Sequence, residues 1–187
     1  MTSPVRDLDL DVRPAGPVRA VLALGSNVGD RAATLRSAVA ALRAVEGLDG
    51  VTASPAYETP PVGGPAQPEY LNAVVLATTT LTPRELLRAA QSVEARHGRV
   101  RDVRWGPRTL DVDVVAYGDL VSSDAELTLP HPRARERGFV LVPWAALEPD
   151  AVLPGPTGGS VRELAARSDD GVRVRARPDV DLAEPAP

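Results

Sequence analysis

The sequence contains no cysteine, so disulfide bonds, thiol nucleophiles and cysteine-ligated metal centres are excluded. It also contains no lysine, because all 21 basic residues are arginine. A Walker-type phosphate loop and a lysine Schiff base both need lysine, so both are excluded. Only two histidines are present, which rules out a multi-histidine metal site. Any phosphate group must therefore be bound by arginine, backbone N–H groups or a metal ion.

Long apolar runs are missing too, and none approaches the roughly 20 residues of a membrane helix. The N-terminal stretch is acidic and lacks the apolar core of a signal peptide. We therefore expect a cytoplasmic monomer without a membrane partner. Aromatic residues make up 3% of the chain and the net charge is −4. Both values argue against a nucleic-acid partner.

The 187 residues are enough for one domain with a sizeable core. Residues 1–17 contain three prolines and several aspartates without periodicity, and the last ten residues also hold three prolines. Such segments rarely bury enough apolar surface to order themselves. We predict a disordered extension over 1–17, one domain over 18–170 and a flexible tail over 171–187.

Within the domain, apolar periodicity and turn residues predict alternating strands and helices. Thr82-Pro83-Arg84-Glu85 has the threonine cap, proline and glutamate of a helix start. The order β-α-β-β-α-β is that of a ferredoxin-like, α+β sheet with its helices on one face, followed by a short C-terminal extension. The expected strands are Arg19–Leu24, Val51–Tyr57, Tyr70–Thr79 and Leu110–Tyr117, and the extension includes helices at Phe139–Leu147 and after Ser160.

The most informative segment is the last predicted strand, which carries Asp111 and Asp113. Because side chains alternate along a strand, these carboxylates share one face, about 6.6 Å apart, and Val112 and Val114 share the other. Two close carboxylates repel each other, and hard divalent cations relieve that repulsion. The pair suits two cations and a polyphosphate. The alternative is an exposed strand whose solvent face happens to be acidic.

A run of arginines leads into this strand, at positions 99, 101, 104 and 108. Arginine matches phosphate oxygens bidentately, so a cationic loop beside an anionic metal site would suit a polyphosphate. Taken alone, the loop could simply be solvated. Likewise, Gln91 and Glu94 could be ordinary helix surface, and His131 could be structural.

Seven segments together resemble the signature of the 6-hydroxymethyl-7,8-dihydropterin pyrophosphokinases, which belong to folate biosynthesis. They follow the family's order and spacing over roughly residues 18–150. The segments are Ala23–Asn27 (ALGSN), Tyr57–Gly63 (YETPPVG), Gln67–Val75 (QPEYLNAVV), Gly98–Arg101 (GRVR), Trp105–Val114 (WGPRTLDVDV), Leu127–Arg133 (LTLPHPR) and Arg137–Trp144 (RGFVLVPW).

The resemblance implies that pyrophosphate passes from the co-substrate ATP to a pterin hydroxymethyl group, releasing AMP. It implies two Mg²⁺ ions held by Asp111 and Asp113, with Asp111 assisting loss of the hydroxyl proton. Residues implied to grip the triphosphate are Arg99, Arg101, Arg108, His131 and Arg137. The ATP side would also include Gln91, Glu94, Trp105 and the backbone near Val114 and Thr128. The pterin positions are Thr59, Pro60, Val62, Tyr70, Asn72 and Phe139.

Three alternatives remain open from the sequence. A nucleotidyltransferase on the same scaffold would also use paired aspartates and magnesium, but would release pyrophosphate instead of AMP. A ferredoxin-like RNA-binding module would normally present aromatic residues on its sheet and a basic surface, unlike this chain. The third alternative is a chain that has kept the fold and lost activity, although each expected polar residue is present.

Overall fold

The computed structural model describes residues 10–61, 66–97, 109–168 and 173–183. It is a mixed α/β structure built on an antiparallel sheet with four helices. The strands are β1 (Val18–Ser26), β2 (Leu48–Ala53), β3 (Ala56–Thr59), β4 (Tyr70–Thr79), β5 (Asp111–Tyr117), β6 (Ser122–Ser123), β7 (Thr128–Leu129), β8 (Val152–Leu153), β9 (Gly159–Ser160) and β10 (Arg175–Arg177). The helices are α1 (Arg31–Arg43), α2 (Pro83–Arg96), α3 (Gly138–Leu147) and α4 (Val161–Arg167), and a 3₁₀ turn spans Ala134–Glu136.

The main sheet has the order β10-β3-β4-β1-β5, and β2 pairs with the far end of β4. The expected second strand, Val51–Tyr57, is two strands separated by Ser54 and Pro55. Proline has no N–H to give to a ladder. The Ser54 hydroxyl maintains the connection to β4 by accepting the Val74 N–H at 3.0 Å.

The two helices of the predicted unit, α1 and α2, pack on one face of the sheet, and α3 and α4 cover the other face, for which the sequence made no prediction. Residues of β1 alternate between two buried clusters: Leu22 and Leu24 pack with α1 and α2, while Val21 and Ala23 pack with α3 and α4. Because both sides of β1 are apolar, each side needs its own cover. The C-terminal helices supply the second one.

The starts of α2 and α4 agree with the sequence. Thr82 and Glu85 form a capping box at the start of α2, in which each side chain accepts the backbone N–H of the other. Asp30 caps α1 by accepting the Ala33 N–H. Ser160 caps α4 by accepting the Glu163 N–H. None of the helices in the described part of the chain combines the length and apolar character required to cross a bilayer.

Both predicted loose ends need correction where the structure describes them. Leu10 is buried in the α1–α2 cluster, and its carbonyl accepts the Arg84 N–H at 3.2 Å. At the other end, β10 adds an edge strand beside β3, and Val180 and Leu182 are buried in the same cluster. Single apolar residues in the described parts of these proline-rich segments, Leu10, Val180 and Leu182, reach the core. Sequence periodicity does not detect such isolated anchors.

Burial of Leu182 predicts that the C-terminal segment contributes to stability. Leu182→Ala should lower the free energy of unfolding by about 2–5 kcal/mol, because it leaves a cavity in the core. Urea unfolding followed by circular dichroism measures this change. Val152→Ala is the control, since Val152 is 65% exposed, and should change stability by less than about 0.5 kcal/mol. If the two substitutions lowered the stability equally, the C-terminal segment would be a flexible tail, as the sequence predicted.

Candidate active site

The two aspartates occupy the same face of β5, as the alternation predicts. Asp113 lies opposite Ala23 of β1 and Asp111 lies opposite Gly25. The intervening Val112 and the following Val114 are buried in the α1–α2 cluster. Their burial fixes which way the carboxylates point, toward the face that α3 and α4 partly cover.

The row that starts at Asp111 continues across the sheet to Asn72. Gly25 pairs with Asp111 on one side and with Asn72 of β4 on the other. With strands about 4.8 Å apart, Asp111 and Asn72 are roughly 10 Å from each other across the glycine. We call this strip of the sheet, from Asp111 over Gly25 to Asn72, the groove; it has a carboxylate at one side and an amide at the other.

The groove depends on the missing side chain of Gly25. A Cβ atom there would lie 3.1 Å from Oδ1 of Asn72 and 3.8 Å from the ring of Tyr70. The predicted first strand ended at Leu24, before Gly25, so this role was missed, because β1 in fact continues to Ser26. A glycine inside a strand often marks a close approach, and that signal could have identified it.

Asn72 is a buried polar residue whose orientation is set by its neighbour. It is 5% exposed, and its Nδ2 donates to Oγ1 of the buried Thr59 at 2.8 Å. Oδ1 is the atom that lies over Gly25. The structure thus brings Thr59, Tyr70 and Asn72 together, as predicted for one side of the site.

The positively charged side chain of Arg137 lies beside the acidic side of the groove. Nη1 of Arg137 donates to Oδ2 of Asp113 at 3.4 Å, and its guanidinium carbon lies 5.4 Å from the centre of the Phe139 ring. Burial lowers the pKa of Arg137, although Asp113 works in the opposite direction. Arg137 therefore connects the carboxylate site to the predicted aromatic residue.

His131 lies next to the same carboxylate. Its Nε2 is 3.9 Å from Oδ2 of Asp113, and its backbone N–H donates to the Val115 carbonyl at 2.8 Å. Burial, followed by the charge of Arg137, lowers the pKa of His131 from 6.5 to about 4. At neutral pH the imidazole is uncharged, so it offers a hydrogen bond rather than a full positive charge.

The two predicted residues of α2 occupy different environments. Gln91 is exposed, whereas Glu94 is 3% exposed. Oε1 of Glu94 accepts the backbone N–H of Val112 at 2.8 Å. The interpretation of Glu94 as helix surface is therefore wrong.

The remaining predicted positions divide into two groups. Pro60 is half-buried just after β3, Thr128 is half-buried on β7, and the Val114 side chain is in the core. Thr128 donates its hydroxyl to the Asp124 carbonyl at 3.0 Å. Val62, Arg99, Arg101, Trp105 and Arg108 lie outside the described residues, so their predicted roles stay predictions.

The donor set fits a hard divalent cation. Asp111 and Asp113 offer carboxylate oxygens on one face of one strand, and one oxygen of Asp111 is buried. Carboxylates are the side chains that Mg²⁺ prefers, and it commonly uses one or two of them together with substrate phosphates. Arg137 contacts Asp113 at 3.4 Å, so a bound cation would share this carboxylate with the guanidinium group.

The pKa of His131 predicts how the metal-free, ligand-free protein responds to acid. The unfolded chain takes up this proton near pH 6.5, and the folded chain only near pH 4. The contribution to stability is therefore complete above the unfolded pKa and is lost as pH falls from about 6.5 to about 4. NMR titration should show an imidazole that does not titrate near pH 6.5, and His131→Gln assigns its signals. A His131 midpoint near 6.5 would contradict this prediction.

Comparison with known proteins identifies the family. The profile of the 7,8-dihydro-6-hydroxymethylpterin-pyrophosphokinase family matches residues 21–149. A 2-amino-4-hydroxy-6-hydroxymethyldihydropteridine pyrophosphokinase from Methylorubrum extorquens is 51% identical over 151 residues, covering 81% of this chain and 94% of the relative. The Mycobacterium bovis protein of the same name is 45% identical over 179 residues, covering 88% and 93%.

Solved structures agree on the fold. The crystal structure of wild-type Plasmodium falciparum HPPK-DHPS superposes with a TM-score of 0.63 at 13% identity, covering 84% of this chain. This chain spans 46% of that longer protein. The profile match and the two relatives establish that the chain belongs to the 7,8-dihydro-6-hydroxymethylpterin pyrophosphokinase family.

Proposed function

We propose that the groove between Asp111 and Asn72 is where the chain carries out the reaction of its family. That reaction transfers pyrophosphate from ATP to 6-hydroxymethyl-7,8-dihydropterin and makes the chain a diphosphokinase of folate biosynthesis. AMP and the pterin diphosphate are the products. The observation that carries the assignment is the pair of carboxylates on one face of β5, two strands from a buried amide.

Asp111 and Asp113 are the residues that would hold the two Mg²⁺ ions. When bound, Mg²⁺ neutralises phosphate charge and makes a coordinated hydroxyl more acidic. Asp111 is the cross-strand partner of Gly25, and we propose it as the carboxylate that would accept the proton of the pterin hydroxyl. Phosphoryl transfer of this kind depends mainly on positioning and charge neutralisation.

The polyphosphate would extend from the carboxylates toward Arg137 and His131. Both side chains lie within 4 Å of Asp113, so they can reach oxygens of a ligand held there. Arg137 supplies charge-assisted hydrogen bonds, and the neutral imidazole of His131 supplies one donor. Arg99, Arg101 and Arg108 complete this set by resemblance, and Gln91, Trp105, Val114 and Thr128 line the ATP side.

The pterin would occupy the Asn72 side of the groove. An amide can both donate and accept, which suits the edge of an aminopyrimidinone ring. Thr59 fixes the amide through its 2.8 Å bond. Tyr70 and Phe139 are half-buried and are the candidates to stack on the flat ring, with Pro60 and Val62 beside it.

We also infer that the central sheet is of the ferredoxin-like type. The antiparallel order β2-β4-β1-β5 and the helices between β1 and β2 and between β4 and β5 support this assignment. The strand β10 and the helices α3 and α4 are additions to that unit.

Asp113→Ala should lower turnover more than about 100-fold. Removing even an indirect partner of a metal ligand costs about 10–100-fold, so loss of a direct ligand should cost more. Turnover is measured as AMP release from ATP, Mg²⁺ and hydroxymethyldihydropterin. Mn²⁺ binding in the presence of a non-hydrolysable ATP analogue is measured separately by electron paramagnetic resonance.

Asp119→Ala is the matched control, because Asp119 is exposed just beyond the same strand. It should behave as the parent protein in both measurements. Parent-like turnover of Asp113→Ala at saturating Mg²⁺ would remove the metal role of Asp113. Release of pyrophosphate instead of AMP by the parent protein would indicate a nucleotidyltransferase.

Gly25→Ala tests the role of Gly25 in the groove. The added methyl group lies 3.1 Å from Oδ1 of Asn72, so the amide must shift and the groove narrows. We expect the KM for the pterin to rise about tenfold, equivalent to about 1.4 kcal/mol, with little change in affinity for ATP alone. Gly16→Ala is the control, since its Cβ meets nothing within 4 Å. An unchanged pterin KM would place the pterin elsewhere.

A further inference from the structure

The strand that carries the aspartates lies at an edge of the sheet. The sheet order ends at β5, so β1 provides its sheet partner on one side. The N–H and C=O groups that point away from β1 need other partners, because unpaired buried backbone groups are costly. How these outward groups are satisfied decides whether β5 keeps its orientation at the site.

Glu94 satisfies the outward N–H between the two aspartates. Its Oε1 accepts the Val112 N–H at 2.8 Å, and the residue is only 3% exposed. Glutamate is seldom so deeply buried, and a charged acceptor makes the stronger kind of hydrogen bond. The contact therefore joins a rigid helix directly to the residue between Asp111 and Asp113.

A second outward group is satisfied three residues later. The His131 N–H donates to the Val115 carbonyl at 2.8 Å, where the register between β1 and β5 shifts. Asp113 thus lies between two fixed points on the outer edge, Val112 and Val115. The bond to Glu94 is the one made by a side chain, so substitution can remove it.

We propose that Glu94 is a positioning residue that holds the Val112 N–H and thereby keeps Asp111 and Asp113 directed into the groove. The inference rests on the proposed role of those aspartates as Mg²⁺ ligands. It replaces the role of lining the ATP side that the resemblance implied for Glu94, since the side chain is buried against the Val112 N–H. Without the bond, the edge strand can rotate at Val112, and the two carboxylates no longer share one direction.

Two conservative variants separate hydrogen bonding from charge. Glu94→Gln keeps the length and an acceptor oxygen but loses the charge. Glu94→Asp keeps the charge but is one methylene shorter, so its acceptor no longer reaches the Val112 N–H. A positioning role predicts that Gln preserves function and Asp does not, whereas a direct electrostatic role toward ATP or Mg²⁺ predicts the reverse.

The expected result for Glu94→Asp is a 10–100-fold loss of both turnover and Mn²⁺ affinity, measured with a non-hydrolysable ATP analogue. Amide exchange at Val112, followed by NMR, should accelerate in the same variant. Glu94→Gln should remain within about threefold of the parent in all three measurements. The KM for the pterin should change little in both variants, because Asn72 lies two strands away.

Val93→Ala is the control for a general loss of stability. Val93 is buried on the same helix and makes no side-chain hydrogen bond. Below its melting temperature this variant should keep the Mn²⁺ affinity of the parent. If Val93→Ala and Glu94→Asp lose metal affinity equally, Glu94 serves general packing and the positioning role is rejected.

Asp113→Ala, measured in parallel, separates failure of this inference from failure of the proposed metal site. If Asp113→Ala binds Mn²⁺ like the parent, the metal site itself is wrong. If Asp113→Ala loses Mn²⁺ while Glu94→Asp binds it normally and turns over normally, only the positioning role is overturned. Damage from Glu94→Gln with normal behaviour of Glu94→Asp also overturns it, in favour of charge.

Discussion

The alternation of side chains along β5 is the constraint on which the site depends. Val112 and Val114 are buried against α1 and α2, so the aspartates between and before them must face the other way. A one-residue slip in register would place both carboxylates in the core and both valines in the groove. The apolar face of the strand therefore orients the acidic face, and core packing and metal-site geometry cannot vary independently.

Much of this arrangement was predictable from the sequence, because it follows from local rules. Period-two alternation predicted the shared face of Asp111 and Asp113, and Thr82 and Ser160 predicted the starts of α2 and α4. The second cover of the sheet was not predictable in this way. The apolar segment at α3 indicates a helix, but nothing in its own pattern says which face of the sheet it covers.

Local sequence patterns fail at residues whose role depends on a distant partner. Gly25 lies just beyond the predicted strand Arg19–Leu24, and its role is visible only when Asp111 and Asn72 are placed on either side of it. Glu94 looks like helix surface until the edge of β5 is placed against α2. Leu182 looks like part of a loose tail until the core reaches it. Each position is decided by pairing over a long sequence separation, which local periodicity does not contain.

The segment between β3 and β4 shows what arginine contributes in a chain without lysine. Arg31 contacts Glu58 at 2.8 Å and the Glu69 carbonyl at 2.7 Å, and Arg175 of β10 contacts Glu58 at 3.4 Å and Glu69 at 2.6 Å. Burial alone would raise the pKa of Glu58, but these guanidinium groups, together with Arg177, lower it. A planar fork can bind two acceptors at once, which a single ammonium does less well. The two ends of the segment that leads to Asn72 are therefore held together by arginines, one of them from β10.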